Sequence, residues 1–195
     1  YQSFGKTGNF GKGNMFIGLK NYIELFQDPE VFSTLFNSVK YAVISLPLTV
    51  AISLVLAVLL NRKMRGRTIY RTIYFLPMVC APAAIAMVWK WMFNQDYGLL
   101  NHLFNAKINW VTDPSIAMIA IVVVGVWSSL GNNMILLLGG LQDIPRDYYE
   151  AASVDGSTGI HTFFHITIPL LSPMLFFIIQ TGIMGALQLF DLPFM

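Results

Sequence analysis

The chain has 195 residues, of which 55% are hydrophobic and only 11% charged, and its formal net charge is +2. Soluble domains carry about a quarter charged residues, so this balance, with a mean hydropathy of +0.61, excludes an ordinary soluble domain and points to a membrane protein. The small net charge argues against nucleic acid as a partner, and a single cysteine, Cys80, excludes an intrachain disulfide.

The chain opens on Tyr1 without the basic and apolar regions of a signal peptide, and it stops at Met195 directly after an apolar segment. Further spans are therefore expected on either side. Residues 1–38 are polar, Gly-rich at first and then weakly amphipathic from Phe16 to Phe36, which suits an external segment with one or two short helices. Gly5-Lys6-Thr7 superficially matches the end of a phosphate-binding loop, but neither an incoming strand nor a following apolar helix accompanies it.

A bilayer core needs about 20 mostly apolar residues in a helix, and four stretches satisfy this: about 39–60, 72–93, 116–138 and 170–190. Exposed backbone polar groups are intolerable in lipid, so these stretches predict helices, and 39–195 becomes an all-α transmembrane bundle. Between the first two spans, Arg62, Lys63, Arg65, Arg67 and Arg71 put five basic residues into ten with no acid, a cytoplasmic signal. The two sides nevertheless carry six Lys/Arg each once Lys40 and Lys90 are counted outside, so the local density carries the orientation. Trp89, Trp91, Phe93 and Trp110 fit an interfacial belt on the opposite side.

Within the spans, Pro77 and Pro82 must distort the second helix, and Cys80 between them is expected to pack in the core. Polar residues in lipid normally face the bundle interior or a wet path. On this ground Trp127, Ser128 and Asn132 in the third span and Gln180 and Gln188 in the fourth are candidate pathway residues. Ser45, Thr49 and Ser53 form a further stripe in the first, although small hydroxyl residues commonly serve helix packing. Loop 139–169 lies inside. Gly139-Gly140 is expected to end the third span, Pro145 to open a short helix and Asp155-Gly156 to stop it, with a second helix from Ser157 toward Pro169. His161 and His165 are four apart but have no third ligand nearby, so no metal site is predicted.

The segment Glu150-Ala151-Ala152-Ser153-Val154-Asp155-Gly156, followed after nine residues by Ile166-Thr167-Ile168-Pro169, resembles the EAA loop of binding-protein-dependent ABC importer permeases. Ile168 stands where that family usually has Leu. Leu141-Gln142-Asp143-Ile144-Pro145, Pro173, Gln188-Leu189-Phe190-Asp191 and Phe16-Ile17-Gly18-Leu19-Lys20-Asn21-Tyr22 extend the resemblance to the carbohydrate-uptake branch, which includes maltose, multiple-sugar and glycerol-phosphate permeases.

The resemblance implies a non-catalytic, multi-pass subunit of a bacterial or archaeal inner membrane with the type I importer fold. Tyr149, Glu150, Ala151, Ala152, Asp155, Gly156 and Pro169 would couple it to the ATPase. Its implied partners are a second permease subunit, two ATP-binding subunits and an external solute-binding protein, with lipid around it. No cofactor is expected on this chain, ATP being used by the partner. The cargo the resemblance implies is a sugar or sugar-like solute; a non-sugar cargo is the alternative, and a passive channel or secondary carrier a more remote one.

Overall fold

The computed structural model describes residues 5–6, 15–16, 18–62 and 66–188. Ile17, the basic residues Lys63 and Arg65, and Leu189, Phe190 and Asp191 lie outside them.

Residues 1–40 and 41–195 form two separately compact units. In the first, β1 (Gly5–Lys6) pairs antiparallel with β2 (Met15–Phe16), so Gly5 and Lys6 belong to a short strand. After α1 (Lys20–Gln27), α2 (Pro29–Asn61) starts where Asp28 Oδ1 accepts the Glu30 amide at 2.9 Å. Pro29 takes the first helical position, where its missing N–H removes nothing from the helix.

The 33 residues of α2 contain the predicted first span and bury Tyr41, Ser45, Thr49, Ser53, Ala57 and Leu60. These recur every four residues, and in the last case after three, so they mark one stripe of the helix. The buried face of an otherwise apolar helix is thus its most polar one. That inversion is expected where the surroundings are lipid, which gives no reason to hide apolar side chains.

The predicted second span is instead two helices, α3 (Arg67–Val79) and α4 (Pro82–Met92), meeting at a bend of 103°. The break follows from Pro82, which disfavours helical backbone in the residue before it. Ala81 is extended (φ −61°, ψ 135°), and so is Cys80 (φ −79°, ψ 145°). Cys80 is exposed at this break and not packed in a core, contrary to its expected role.

After α5 (Leu99–Leu103), α6 (Pro114–Asp143) starts at a strong cap: Asp113 Oδ1 accepts the Ser115 amide at 2.9 Å and its hydroxyl at 2.6 Å. The helix passes through Gly139-Gly140 instead of ending there. Gly140 sits against the Leu171 side chain, whose Cδ2 would lie 2.9 Å from a Cβ added there. The true stop is Pro145, which leaves Ile144 extended (φ −71°, ψ 118°).

The loop helix is α7 (Arg146–Val154), followed by α8 (Gly159–Thr162), a π turn (Phe163–Thr167), α9 (Ile168–Leu170) and, after a 64° bend, α10 (Ser172–Leu187). The π turn precedes Pro169, whose ring in a regular helix would meet the carbonyl of His165 and whose nitrogen cannot donate; widening the helix there relieves the conflict.

Among the described residues, α2 and α6 are long and apolar enough to cross a membrane. Each bent pair, α3 with α4 and Gly159–Leu170 with α10, adds one crossing if it spans as a unit, for up to four. The main core joins Ala57 and Leu60 of α2 to Met134, Leu137, Leu138 and Leu141 of α6 and to Leu171 and Ile178. Backbone closeness holds the bundle: α3 crosses α6 at Gly131, where any Cβ would overlap the Tyr74 carbonyl.

Candidate functional site

Two places in the bundle combine polar chemistry with a defined shape. The first is the elbow between α7 and α8. The Ser157 amide donates to the Ala152 carbonyl at 2.9 Å and the Gly156 amide to the Ser153 carbonyl at 3.2 Å, while Gly156 has φ +75°. This is a Schellman closure, which needs a left-handed residue at the position Gly156 occupies. Thr158 then caps α8, its hydroxyl accepting the His161 amide at 3.4 Å, and Ser157 Oγ lies 2.9 Å from Thr162 Oγ1. The turn is therefore closed from both helices.

The predicted coupling residues separate into two faces. Glu150, Ala151, Asp155, Gly156 and Pro169 are exposed, whereas Ala152 is buried and Tyr149 is half-buried against the main core. Tyr149 Oη sits 3.2 Å from Thr167 Oγ1, and Thr167 is itself buried. Tyr149 therefore ties the loop helix to the bundle instead of offering itself outward. Tyr148 and Val154 are 50% and 88% exposed. Tyr148, Ala151, Asp155, Gly156 and His161 line an open groove of about 570 Å³ along the elbow. The His161 and His165 rings stack at 3.9 Å, and His165 Nδ1 lies 3.0 Å from the His161 carbonyl.

The second place is a cleft of about 370 Å³ inside the bundle, between α2, α6 and α10. Ser128 and Asn132 line it, together with Tyr41, Ser45, Thr49, Ser129, Asn133 and Thr181. Ser128 Oγ is buried with no hydrogen-bond partner among the described residues. Three predicted pathway residues stand elsewhere. Gln180 and Gln188 are exposed and do not line the cleft, and Trp127 packs edge-on against Trp89 at 5.5 Å. The contacts continue from Trp89 to Phe93 at 5.2 Å and from Phe93 to Trp110 at 5.6 Å, so most of the predicted belt is a packed ladder. Trp91 is 52% exposed.

Sequence reasoning missed Tyr41, Ser129, Asn133 and Thr181. Adjacent amides at Asn132 and Asn133 in an apolar run were a usable signal, but a helix cannot direct both neighbours inward unless its packed face is broad.

Residues 33–194 match the family of binding-protein-dependent transport system inner membrane components. The chain belongs to this family. A probable ABC transporter permease protein, YurN of Bacillus subtilis (strain 168), is 37% identical over 202 residues, covering 100% of this chain and 69% of that protein. The trehalose/maltose transport system permease protein MalF of Thermococcus litoralis is 35% identical over 181 residues, covering 91% of this chain and 61% of that one. This inner membrane component thus spans between three-fifths and seven-tenths of the length of these relatives. In fold it is similar to a bacterial ABC transporter involved in import of the acidic polysaccharide alginate, with a TM-score of 0.79 at 21% identity over 89% of this chain and 63% of that one. That transporter is also known in complex with an alginate pentasaccharide-bound periplasmic protein. The relatives are transport permeases, and the fold is the helical one of importer permeases.

Proposed function

We propose that this inner membrane component is the transmembrane subunit of an ATP-driven importer for a sugar or sugar-like solute. An external binding protein delivers the solute, and a separate ATPase drives the cycle through α7. In this reading the chain pairs with a second permease subunit and two ATP-binding subunits in the cell membrane of a bacterium or archaeon, and catalyses nothing itself.

The observation that carries the reading is the construction of the elbow. Its outer face offers Tyr148, Ala151 and Asp155 along a groove, while its inner face is fixed to the bundle through Ala152 and the Tyr149–Thr167 contact. A helix gripped from outside and anchored inside transmits displacement. The anchor leads through Ile144, Leu141 and Leu171 to Ile178 of α10, all in one packed cluster. Packed cores respond by discrete shifts and not by continuous flexing, so movement of α7 reaches the walls of the cleft. Asp147, Glu150 and Asp155 give the exposed side an acidic character that favours basic residues on the ATPase.

The test is uptake by the complete importer in proteoliposomes with Glu150→Arg and Gly156→Val variants. Import should fall at least about tenfold, corresponding to about 1.4 kcal/mol of coupling. ATP-driven uptake equal to the parent's in both variants would refute the reading.

A further inference from the structure

We infer that Arg67 and Arg71, in the first turns of α3, form a binding site for the phosphate of an anionic membrane lipid. The inference concerns what the bundle holds at the membrane surface. It goes beyond the import reading, whose cargo and coupling it leaves untouched.

Arg67, Arg71 and Tyr74 stand at i, i+4 and i+7 and so share one stripe of α3. Tyr74 packs against the main core, so the stripe faces the bundle, and the two arginines are drawn in with it. Arg67 Nε and Nη2 and Arg71 Nε are buried, yet none has a hydrogen-bond partner among the described residues. A guanidinium donor removed from water without an acceptor is costly, because it has lost hydration and gained nothing in return. Two like charges one turn apart also repel. The helix itself offers no relief: its first turn holds no acidic residue. The ion pair made among the described residues joins Lys20 to Glu24, in the other compact unit.

The chemistry missing here is an anion with several acceptor oxygens. Each guanidinium presents its N–H donors in a planar fork that matches phosphate oxygens two at a time. One phosphate between the arginines satisfies the stranded donors and cancels their repulsion together. Its source follows from what surrounds the pair. α2 is long and apolar enough to cross a membrane and ends at Asn61. The chain from there to Arg67 spans no more than about 20 Å, which keeps the pair near that membrane's surface. Residues 62–71 carry five basic side chains and no acid, a density that attracts anionic lipid. Further along α3, Ile69, Tyr70, Ile73 and Leu76 are exposed. Cations at the head of an exposed apolar helix suit a molecule that carries its anion on acyl chains. A free ion or an acidic protein segment leaves those apolar side chains uncovered.

The experiment is native mass spectrometry of the full-length protein in its assembled complex, released from nanodiscs holding equal amounts of phosphatidylglycerol and phosphatidylcholine. The parent should retain phosphatidylglycerol in preference. Arg67→Gln with Arg71→Gln should lower that retention at least about tenfold, since each basic residue near an anionic surface contributes about fivefold. Should this variant fail to assemble, Arg67→Lys with Arg71→Lys keeps the charges, loses the forks and should lower retention at least about twofold. Excess inorganic phosphate, against chloride at matched ionic strength, should leave the lipid in place. Retention unchanged in the assembled variant, equal retention of both lipids by the parent, or displacement by inorganic phosphate overturns the inference. So does release of an associated subunit by the Gln variant with its lipid retained, which assigns the pair to an acidic protein surface.

Discussion

Tyr149 Oη lies 3.2 Å from Thr167 Oγ1, joining the middle of α7 to the π turn that leads into α10. The two residues are 18 apart in sequence, with the elbow between them. The exposed part of the loop is thereby closed into a ring whose base is the bundle. A displacement applied at Ala151 or Asp155 cannot be absorbed by the elbow alone.

Loss of this contact should separate ATP hydrolysis from transport. Tyr149→Phe leaves the buried Thr167 hydroxyl without its partner, a loss of about 1–3 kcal/mol, whereas Thr167→Val leaves a half-buried phenol that water can reach and costs less. A double-mutant cycle on thermal stability of the assembled importer should give a coupling energy of at least about 0.5 kcal/mol. Additive effects would show that the hydroxyls do not interact. Uptake per ATP hydrolysed should fall more than stability does.

Gly156 tests the turn itself. At φ +75°, an alanine meets a backbone penalty of about 1–2 kcal/mol even though no neighbour crowds the position. Asparagine tolerates the left-handed region better. Hydrogen exchange at the Ser157 amide should therefore accelerate in Gly156→Ala and far less in Gly156→Asn. The reverse order would mean that the helix stop does not depend on the left-handed backbone.

The loop between α4 and α6 depends on one side chain. Asn101 is buried; its amide donates to the Ile108 carbonyl at 2.8 Å and to the Gln95 carbonyl at 3.2 Å, and its oxygen accepts from Trp110 Nε1 at 2.8 Å. Asn101→Ala strands these groups and should destabilise the loop by about 1–3 kcal/mol. Trp110 emission should shift to the red as the indole gains water. Unchanged emission would place the order of the loop in its apolar contacts.

Gly131 marks a crossing where backbone meets backbone. Alanine there overlaps the Tyr74 carbonyl, and because backbone cannot rotate away, α3 must move off α6. Overpacking of this kind costs about 1–3 kcal/mol. Gly131→Ala should lower the melting temperature, while Gly139→Ala, with nothing within 4 Å of its added Cβ, should leave it unchanged or raise it. Equal effects at the two positions would contradict the close approach of α3.

A pH effect is expected at the start of α6. The Ser115 hydroxyl and amide bonds hold the Asp113 carboxyl below its usual range. A carboxylate whose folded pKa is depressed contributes fully above its unfolded pKa, about 3.9, and loses that contribution as pH falls through the folded value. Protection of the first α6 amides should thus be constant near neutrality and decline only in acid. Asp113→Asn keeps a cap but has nothing to titrate, so its protection should be flat through that window.

Much of this architecture was legible in the chain. The apolar lengths located α2 and α6 because lipid demands helices of that length, and Asp155-Gly156 located the elbow because a helix needs a left-handed residue to close in this way. Pro77 and Pro82 signalled a distortion. Its size, a 103° break at Cys80 and Ala81, was not legible, since proline before a helix sets only local backbone while packing sets the angle between segments. Gly139-Gly140 misled for a related reason: glycine ends a helix or lets another helix approach it, and Leu171, which decides between the two, is 31 residues beyond Gly140 in the numbering.

The sequence by itself determined the membrane class, the family through its loop motif, and the chemistry available in the spans. Tertiary structure alone decided which polar residues meet. A span that is apolar all round carries little moment to fix its rotation, so Gln180 was as good a pathway candidate as Thr181, one position away. In the bundle α10 packs at Gly182 against the Leu46 side chain of α2, and of the two neighbours Thr181 lines the cleft while Gln180 does not.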